Sequence, residues 1–171
     1  MPMNQPIILV MGVSGSGKTT VGRLLAARLG RPFYDADDFH SAANIAKMAS
    51  GHPLTDADRH DWLATLAAGL GTWERAQGAV LACSALKETY RQTLQAGAQD
   101  PISWVFLDGT PALLLARIGG RKGHYMGANM LDSQLAALEK PAYGLRLSIE
   151  ATPEELVNQI IEQLHLPPAT S

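Results

Sequence analysis

The stretch Ile7-Ile8-Leu9-Val10-Met11-Gly12-Val13-Ser14-Gly15-Ser16-Gly17-Lys18-Thr19 decides the fold. Its first five residues form an unbroken apolar run that ends at a glycine, the pattern of a strand buried on both faces. Residues 12–19 satisfy G-x-x-x-x-G-K-[ST], the phosphate-binding P-loop or Walker A sequence. Val21, Leu24, Leu25 and Leu29 then recur at helical spacing. Strand, glycine loop and helix therefore fall in the order the motif requires, which a chance glycine–serine turn does not demand. The glycines allow a sharp turn in which successive N–H groups face one phosphate, and the new helix adds its positive end. The cradle runs through Gly12, Val13, Ser14, Gly15, Ser16, Gly17, Lys18, Thr19 and Thr20. Lys18 is expected to reach the β- and γ-phosphates, and the Thr19 hydroxyl to ligate Mg²⁺.

Bulk properties narrow the class. A chain of 171 residues is long enough for one domain with a proper core and short for two. The hydrophobic fraction of 46% and a mean hydropathy of -0.02 are those of soluble globular proteins. A net charge of -2, with no basic face in view, argues against nucleic acid as a partner. No run reaches membrane-spanning length, and no basic region leads an apolar one at the start. The single cysteine, Cys83, sits in the apolar run 79–83, reads as a small core residue, and suits a reducing compartment. A cytoplasmic location is expected.

Strand-like runs at 7–11, 32–35, 79–83, 103–107 and 145–150 alternate with helical patterns, which predicts an α/β fold with a parallel sheet. Thr110-Pro111 and Thr152-Pro153-Glu154-Glu155 are helix starts, the second with a capping box. Ser84 is placed to cap the helix of Lys87, Tyr90, Arg91 and Leu94. An amphipathic segment 58–77 puts Trp62, Leu63, Leu66, Leu70 and Trp73 on one packing face. Two stretches break the alternation. Residues 37–54 are polar, and residues 118–130 are rich in Gly, Arg, Lys and His; both are predicted to be loops, the second a mobile lid. The tail 166–171 is expected to fray.

Phosphoryl transfer also needs a group for the acceptor and cations on the transferring phosphate. Asp35 and Asp37 lie at the carboxyl end of the second strand, the edge where open α/β sheets bind ligands. Two apart on an extended chain, they are predicted to face one side. Asp37 is assigned to the acceptor hydroxyl as general base, and Asp35 to a metal-bound water; Asp38 points away. Arg121 is the expected cation on the phosphates, while Arg117 is expected to stack on the nucleotide base. Lys47, Arg59 and Arg91, on segments leaving strands two and three, are predicted to converge beside Asp37 and hold an anionic, polyhydroxylated acceptor. Asp108 ends an apolar strand like a metal-binding aspartate, yet Asp108-Gly109-Thr110-Pro111 reads better as a turn into a capped helix.

Several blocks resemble the bacterial gluconate kinases. They are the P-loop through Gly22, the run Asp35-Ala36-Asp37-Asp38-Phe39-His40, and Asn44 with Lys47-Met48 and Gly51. Pro53-Leu54-Thr55-Asp56 with Asp58-Arg59 and Trp62-Leu63 follows, then Cys83-Ser84-Ala85-Leu86-Lys87 with Tyr90-Arg91. The last is His124-Tyr125-Met126 with Leu131, Ser133-Gln134 and Leu138-Glu139. The segment 119–125 is richer in glycine than is usual for that family, and 127–129 is less like it. The resemblance implies a P-loop NTPase three-layer α/β/α fold with strand order 2-3-1-4-5, a single kinase domain over 1–171 and a lid at about 118–130. It implies ATP and Mg²⁺, transfer to the 6-hydroxyl of D-gluconate, a small-molecule partner and a homodimer. It adds His40, His124 and Gln134 to Asp37, Lys47, Arg59 and Arg91 as substrate contacts, and gives Asp108 no catalytic part. The alternatives are a kinase of another small hydroxylated acid such as shikimate, and a nucleotide-binding switch. The switch would want a guanine-reading N-K-x-D element, which the chain lacks.

Overall fold

The apolar run 7–11 is the central strand. In the computed structural model, which describes residues 5–119 and 125–167, β1 (Ile7–Met11) has strands on both sides and every residue is buried. The other strands are β2 (Phe33–Asp35), β3 (Ala79–Ala82), β4 (Ser103–Asp108) and β5 (Leu145–Ser148). They form one five-stranded sheet of order β2-β3-β1-β4-β5, parallel at every pairing. The register sets Val10 opposite Ala82, Ala82 opposite Asp35, and Met11 opposite Phe106. The chain segments leaving β1, β2 and β3 therefore share one edge, and the glycine loop, the aspartates and the Cys83–Ser84 turn emerge side by side.

The helices are α1 (Lys18–Leu29), α2 (Ala42–Ala49), α3 (Asp56–Glu74), α4 (Glu88–Gly97), α5 (Pro111–Gly119), α6 (Tyr125–Ala137) and α7 (Pro153–Gln163). They flank the sheet as layers, with α1 packing on α7 and α3 on α4. The α3–α4 contact is close because Gly97 has no side chain: a Cβ there would lie 2.1 Å from the Ala67 carbonyl oxygen. Trp62, Leu63, Leu66 and Leu70 are buried as the sequence predicts, and Trp73 stacks on Tyr34 at 3.9 Å and 7°.

The structure departs from expectation in the two predicted loops. Residues 37–54 contain a 3₁₀ turn (Ala36–Phe39) and α2, capped by Ser41, whose hydroxyl accepts from the Asn44 amide at 3.1 Å. Short helices closed by one cap and one buried side chain carry too little apolar periodicity to be found by pattern. In 118–130, α5 extends to Gly119 and α6 begins at Tyr125, so the stretch is helical at both ends. Residues 120–124 lie outside the described residues, as do 168–171 of the tail.

Ser84 caps nothing here. α4 starts at Glu88, and its first N–H is taken by Glu139 Oε1 at 2.8 Å, from a segment 51 residues away. Sequence proximity could not have shown that partner. Thr110 does accept from Leu113 N, and Thr152 from Glu155 N. α3 begins at Asp56 behind a full Thr55–Asp58 capping box.

Candidate active site

The P-loop turns through positive φ at Gly15 (84°) and Gly17 (92°), which a side chain would strain, and Gly17 is the N-cap of α1. Lys18 crosses the loop to donate to the Val13 carbonyl at 3.1 Å. The Ser14 amide donates to Gln134 Oε1 at 2.7 Å, fastening the loop to α6. Ser16 is buried, and its Oγ has no hydrogen-bond partner among the described residues. A buried orphan hydroxyl inside a ring of amides is what a phosphate-binding cradle would leave for its ligand.

The Thr19 hydroxyl donates to Asp35 Oδ2 at 3.0 Å, and Asp35 Oδ1 accepts from the Asp37 amide at 3.0 Å. The chain leaves β2 into the 3₁₀ turn with Asp35 as its cap, so the extended geometry from which the two aspartates were predicted to face one side ends at Asp35. Both nonetheless line one cleft with Ser14, Lys18 and Thr19. Asp38 faces a separate groove with Arg23 and Arg31. Mg²⁺ keeps several waters and takes few protein oxygens. The Thr19–Asp35 pair is a set of that sparse kind. Among the described residues no group of three or more His, Cys, Asp or Glu could hold a metal by itself.

Asp37 opens onto the cleft, its side chain 83% exposed. Crowding by the cleft walls, and next the like charge of Asp35, raise its carboxyl above the ordinary value, while Lys18 and His40 pull the other way. Because the carboxylate itself reaches solvent, the specific part of that shift is the charge of Asp35. His40 Nε2 lies 3.9 Å from Asp37 Oδ1. Its ring stacks on Trp62 at 4.3 Å and 13°, and the Trp62 indole donates to the Ala36 carbonyl at 2.7 Å. Burial biases His40 toward the neutral form, Asp37 opposes that, and Arg59 adds to it. Trp62, read from sequence as packing alone, thus orients the cleft's imidazole. Only its spacing from D-A-D-D-F-H could have hinted at that.

Of the three cations expected beside Asp37, only Arg59 lines the cleft, donating to the Leu54 carbonyl at 2.8 Å and the Tyr90 hydroxyl at 3.2 Å. Lys47 is paired with Asp58 Oδ2 at 2.6 Å, which with the Thr55 amide holds the Asp58 carboxyl at about 2. Arg91 is 1% exposed and faces away from the cleft. It donates to the Ala85 carbonyl (2.6 Å), the Glu139 carbonyl (2.8 Å), Tyr143 (3.0 Å) and Glu88 (3.2 Å). A guanidinium with five donors suits such a clasp, and sequence spacing cannot tell it from a ligand-binding one.

Gln134 borders the cleft, though its amide oxygen serves Ser14. Arg117 donates to the Ile149 carbonyl in the β5–α7 turn, so its guanidinium is held by backbone. Arg121 and His124 lie outside the described residues. Asp108 pairs with Arg146 at 2.6 Å and Lys140 at 3.6 Å, and lines a groove apart from the P-loop cleft. Cys83 forms part of the cleft floor with its thiol pushed up to about 12 by burial.

The shikimate kinase family model matches residues 14–165. The chain is 45% identical to a gluconokinase of Gluconobacter oxydans (strain 621H), over 94% of this chain and 92% of that one. An unliganded sugar kinase from Janibacter sp. HTCC2649 matches with a TM-score of 0.90 and 41% identity, covering 99% of this chain and 100% of the other. A gluconokinase structure from Sinorhizobium meliloti 1021 matches with a TM-score of 0.82 and 36% identity, covering 96% and 98%. Fold, cradle and kinship together define a P-loop kinase that acts on an alcohol group. Within that class, the chain belongs to the gluconokinases of the shikimate kinase family.

Proposed function

We propose that this chain transfers the γ-phosphate of ATP to the 6-hydroxyl of D-gluconate, giving 6-phosphogluconate and ADP. The observation that carries the reading is Asp37, which opens onto the same cleft as Lys18, Thr19 and the P-loop amides. Asp37 accepts the hydroxyl proton as the oxygen attacks in line, with no covalent intermediate on the protein. Lys18 and the loop amides bind the phosphates, and Arg121 is the proposed second cation on the transferring group. Thr19 and Asp35 would hold Mg²⁺, which would supply positive charge to offset that of the phosphates. Arg59 and His40 hold the acceptor, with His124 and Gln134 at its lid side. Arg117 is the proposed neighbour of the nucleotide base.

Residues 1–171 act in this reading as one kinase domain with 118–130 as its lid. Kinship supports a homodimer, which light scattering on the eluting peak checks. No helix of the described residues is long and apolar enough to cross a membrane. The lone buried thiol supports a reducing, cytoplasmic setting. The deciding experiment is coupled ADP release with gluconate, shikimate and neutral sugars in parallel. Gluconate-dependent turnover is expected, and turnover with shikimate alone would replace the acceptor. Tight nucleotide binding without any acceptor phosphorylation would point to a switch.

A further inference from the structure

Past the phosphoryl-transfer end, the cleft continues by way of Leu54, Leu86 and Gln134 into a second hollow bordered by Asp56 and Lys87. Arg59 borders both. Three donors meet there. Arg59 Nη1 lies 3.2 Å from the Tyr90 hydroxyl, and its guanidinium carbon is 5.4 Å from the centre of that ring. Lys87 Nζ is 5.7 Å from the same ring and 3.2 Å from Asp56 Oδ1, and the Tyr90 hydroxyl donates to that same oxygen. Lys87 and the Tyr90 phenol therefore already hold a carboxylate, one the chain itself supplies, and Arg59 donates to the same phenol.

That carboxylate is not locked in. The Asp56 side chain is 68% exposed and Lys87 is 32% exposed, so the pair is hydrated and weak. Another carboxylate could replace it at little cost. Of the other groups able to carry positive charge that line the two hollows among the described residues, Lys18 belongs to the P-loop, and burial biases His40 to neutrality. Arg59 and Lys87 are what the cleft offers to the acid end of an acceptor whose hydroxyl end lies at Asp37.

We propose that Arg59, Lys87 and Tyr90 form the subsite for the acceptor's carboxylate, and that Asp56 occupies it until the acceptor displaces it. The proposal rests on the gluconate reading above and explains how an aldonate would be chosen over a neutral polyol with the same terminal hydroxyl. The arrangement costs apparent affinity, since the acceptor must compete with a tethered rival.

The test is steady-state kinetics of wild type, Lys87→Met and Asp56→Asn, with KM for ATP as the internal control. Lys87→Met should raise the gluconate KM roughly tenfold or more, through loss of a charge-assisted contact. Its kcat and ATP KM should stay within about twofold, because that contact is uniform binding distant from the reacting atoms. Asp56→Asn should lower the gluconate KM several-fold. A Lys87→Met variant whose gluconate KM is unchanged, or whose kcat and ATP KM fall away together with it, overturns the subsite. A gluconate KM that is unchanged or raised in Asp56→Asn overturns the exchange. If wild type itself shows no turnover with gluconate, the acceptor reading fails first and takes the subsite with it.

Discussion

The carboxylate of Asp37 carries most of the proposed chemistry, and its surroundings set its behaviour. The cleft walls and Asp35 raise its titration above the ordinary carboxylate value of 3.8. A base works only when deprotonated, so a raised value moves the acid limb of the rate profile to higher pH. The kcat/KM profile should therefore fall on the acid side at a pH above that of an unperturbed aspartate. Asp37→Asn should keep nucleotide binding, since the P-loop is untouched, and lose about 10²–10⁴ in kcat, the usual worth of a positioned base. Near-wild-type turnover in that variant would remove the base role. Cys83 is shifted in the same direction, and for it the shift means inertness. Burial pushes its thiol up to about 12, so almost no thiolate exists at neutral pH. Iodoacetamide should leave the native protein unmodified and label it only after unfolding, as mass spectrometry would read.

Two elements show how local contacts set the cleft's frame. The start of α3 is fixed by the Thr55–Asp58 box and by Lys47, which reaches Asp58 from α2. Asp58 titrates at about 2 against an ordinary 3.8. A lowered folded-state value means stability that is present above 3.8 and lost as pH falls from there toward 2. Asp58→Asn should flatten that part of the acid-unfolding curve, measured by denaturant titration at several pH values across the window. The other end of the frame is the α3–α4 contact, where a Cβ on Gly97 would strike the Ala67 carbonyl. Backbone on both sides cannot yield by rotating a side chain. Gly97→Ala should therefore destabilise by about 1–3 kcal/mol through overpacking, with kcat little changed.

At the scale of the whole molecule, Arg91 joins parts far apart in sequence. It ties the β3–α4 turn, where Ala85 sits at a φ of 46°, to the segment after α6 through Glu139. α6 in turn grips the P-loop through Gln134. Arg91→Met would leave the buried Ala85 carbonyl without its donor, at about 1–3 kcal/mol, and the partly buried Glu139 carbonyl without its own, at less. A fall in Tm of roughly 5–15 °C is expected for a chain of this length, since each kcal/mol moves Tm by about 2–4 °C. Scanning calorimetry checks it. Lys47→Met removes one ion pair whose two side chains are 38% and 26% exposed, leaves no fully buried carbonyl without a donor, and should shift Tm less.

The sequence by itself determined the parallel sheet, the phosphate cradle and the aspartates at its edge. Those signals are local: an apolar run, glycines at fixed offsets, and a helix within one turn of the loop. It also identified Arg59 as a cleft residue, since a segment leaving β2 returns to the same sheet edge. What only the tertiary structure decided is where the other long cationic side chains end. Arg91 and Lys47 stand beside Arg59 in composition and spacing, yet one is swallowed by carbonyls from β3–α4 and the end of α6, and the other is spent on α3. A guanidinium or ammonium goes to whichever acceptors folding brings within reach, and those acceptors lie up to 52 residues away along the chain. The same reason put the cap of α4 on Glu139 rather than on neighbouring Ser84.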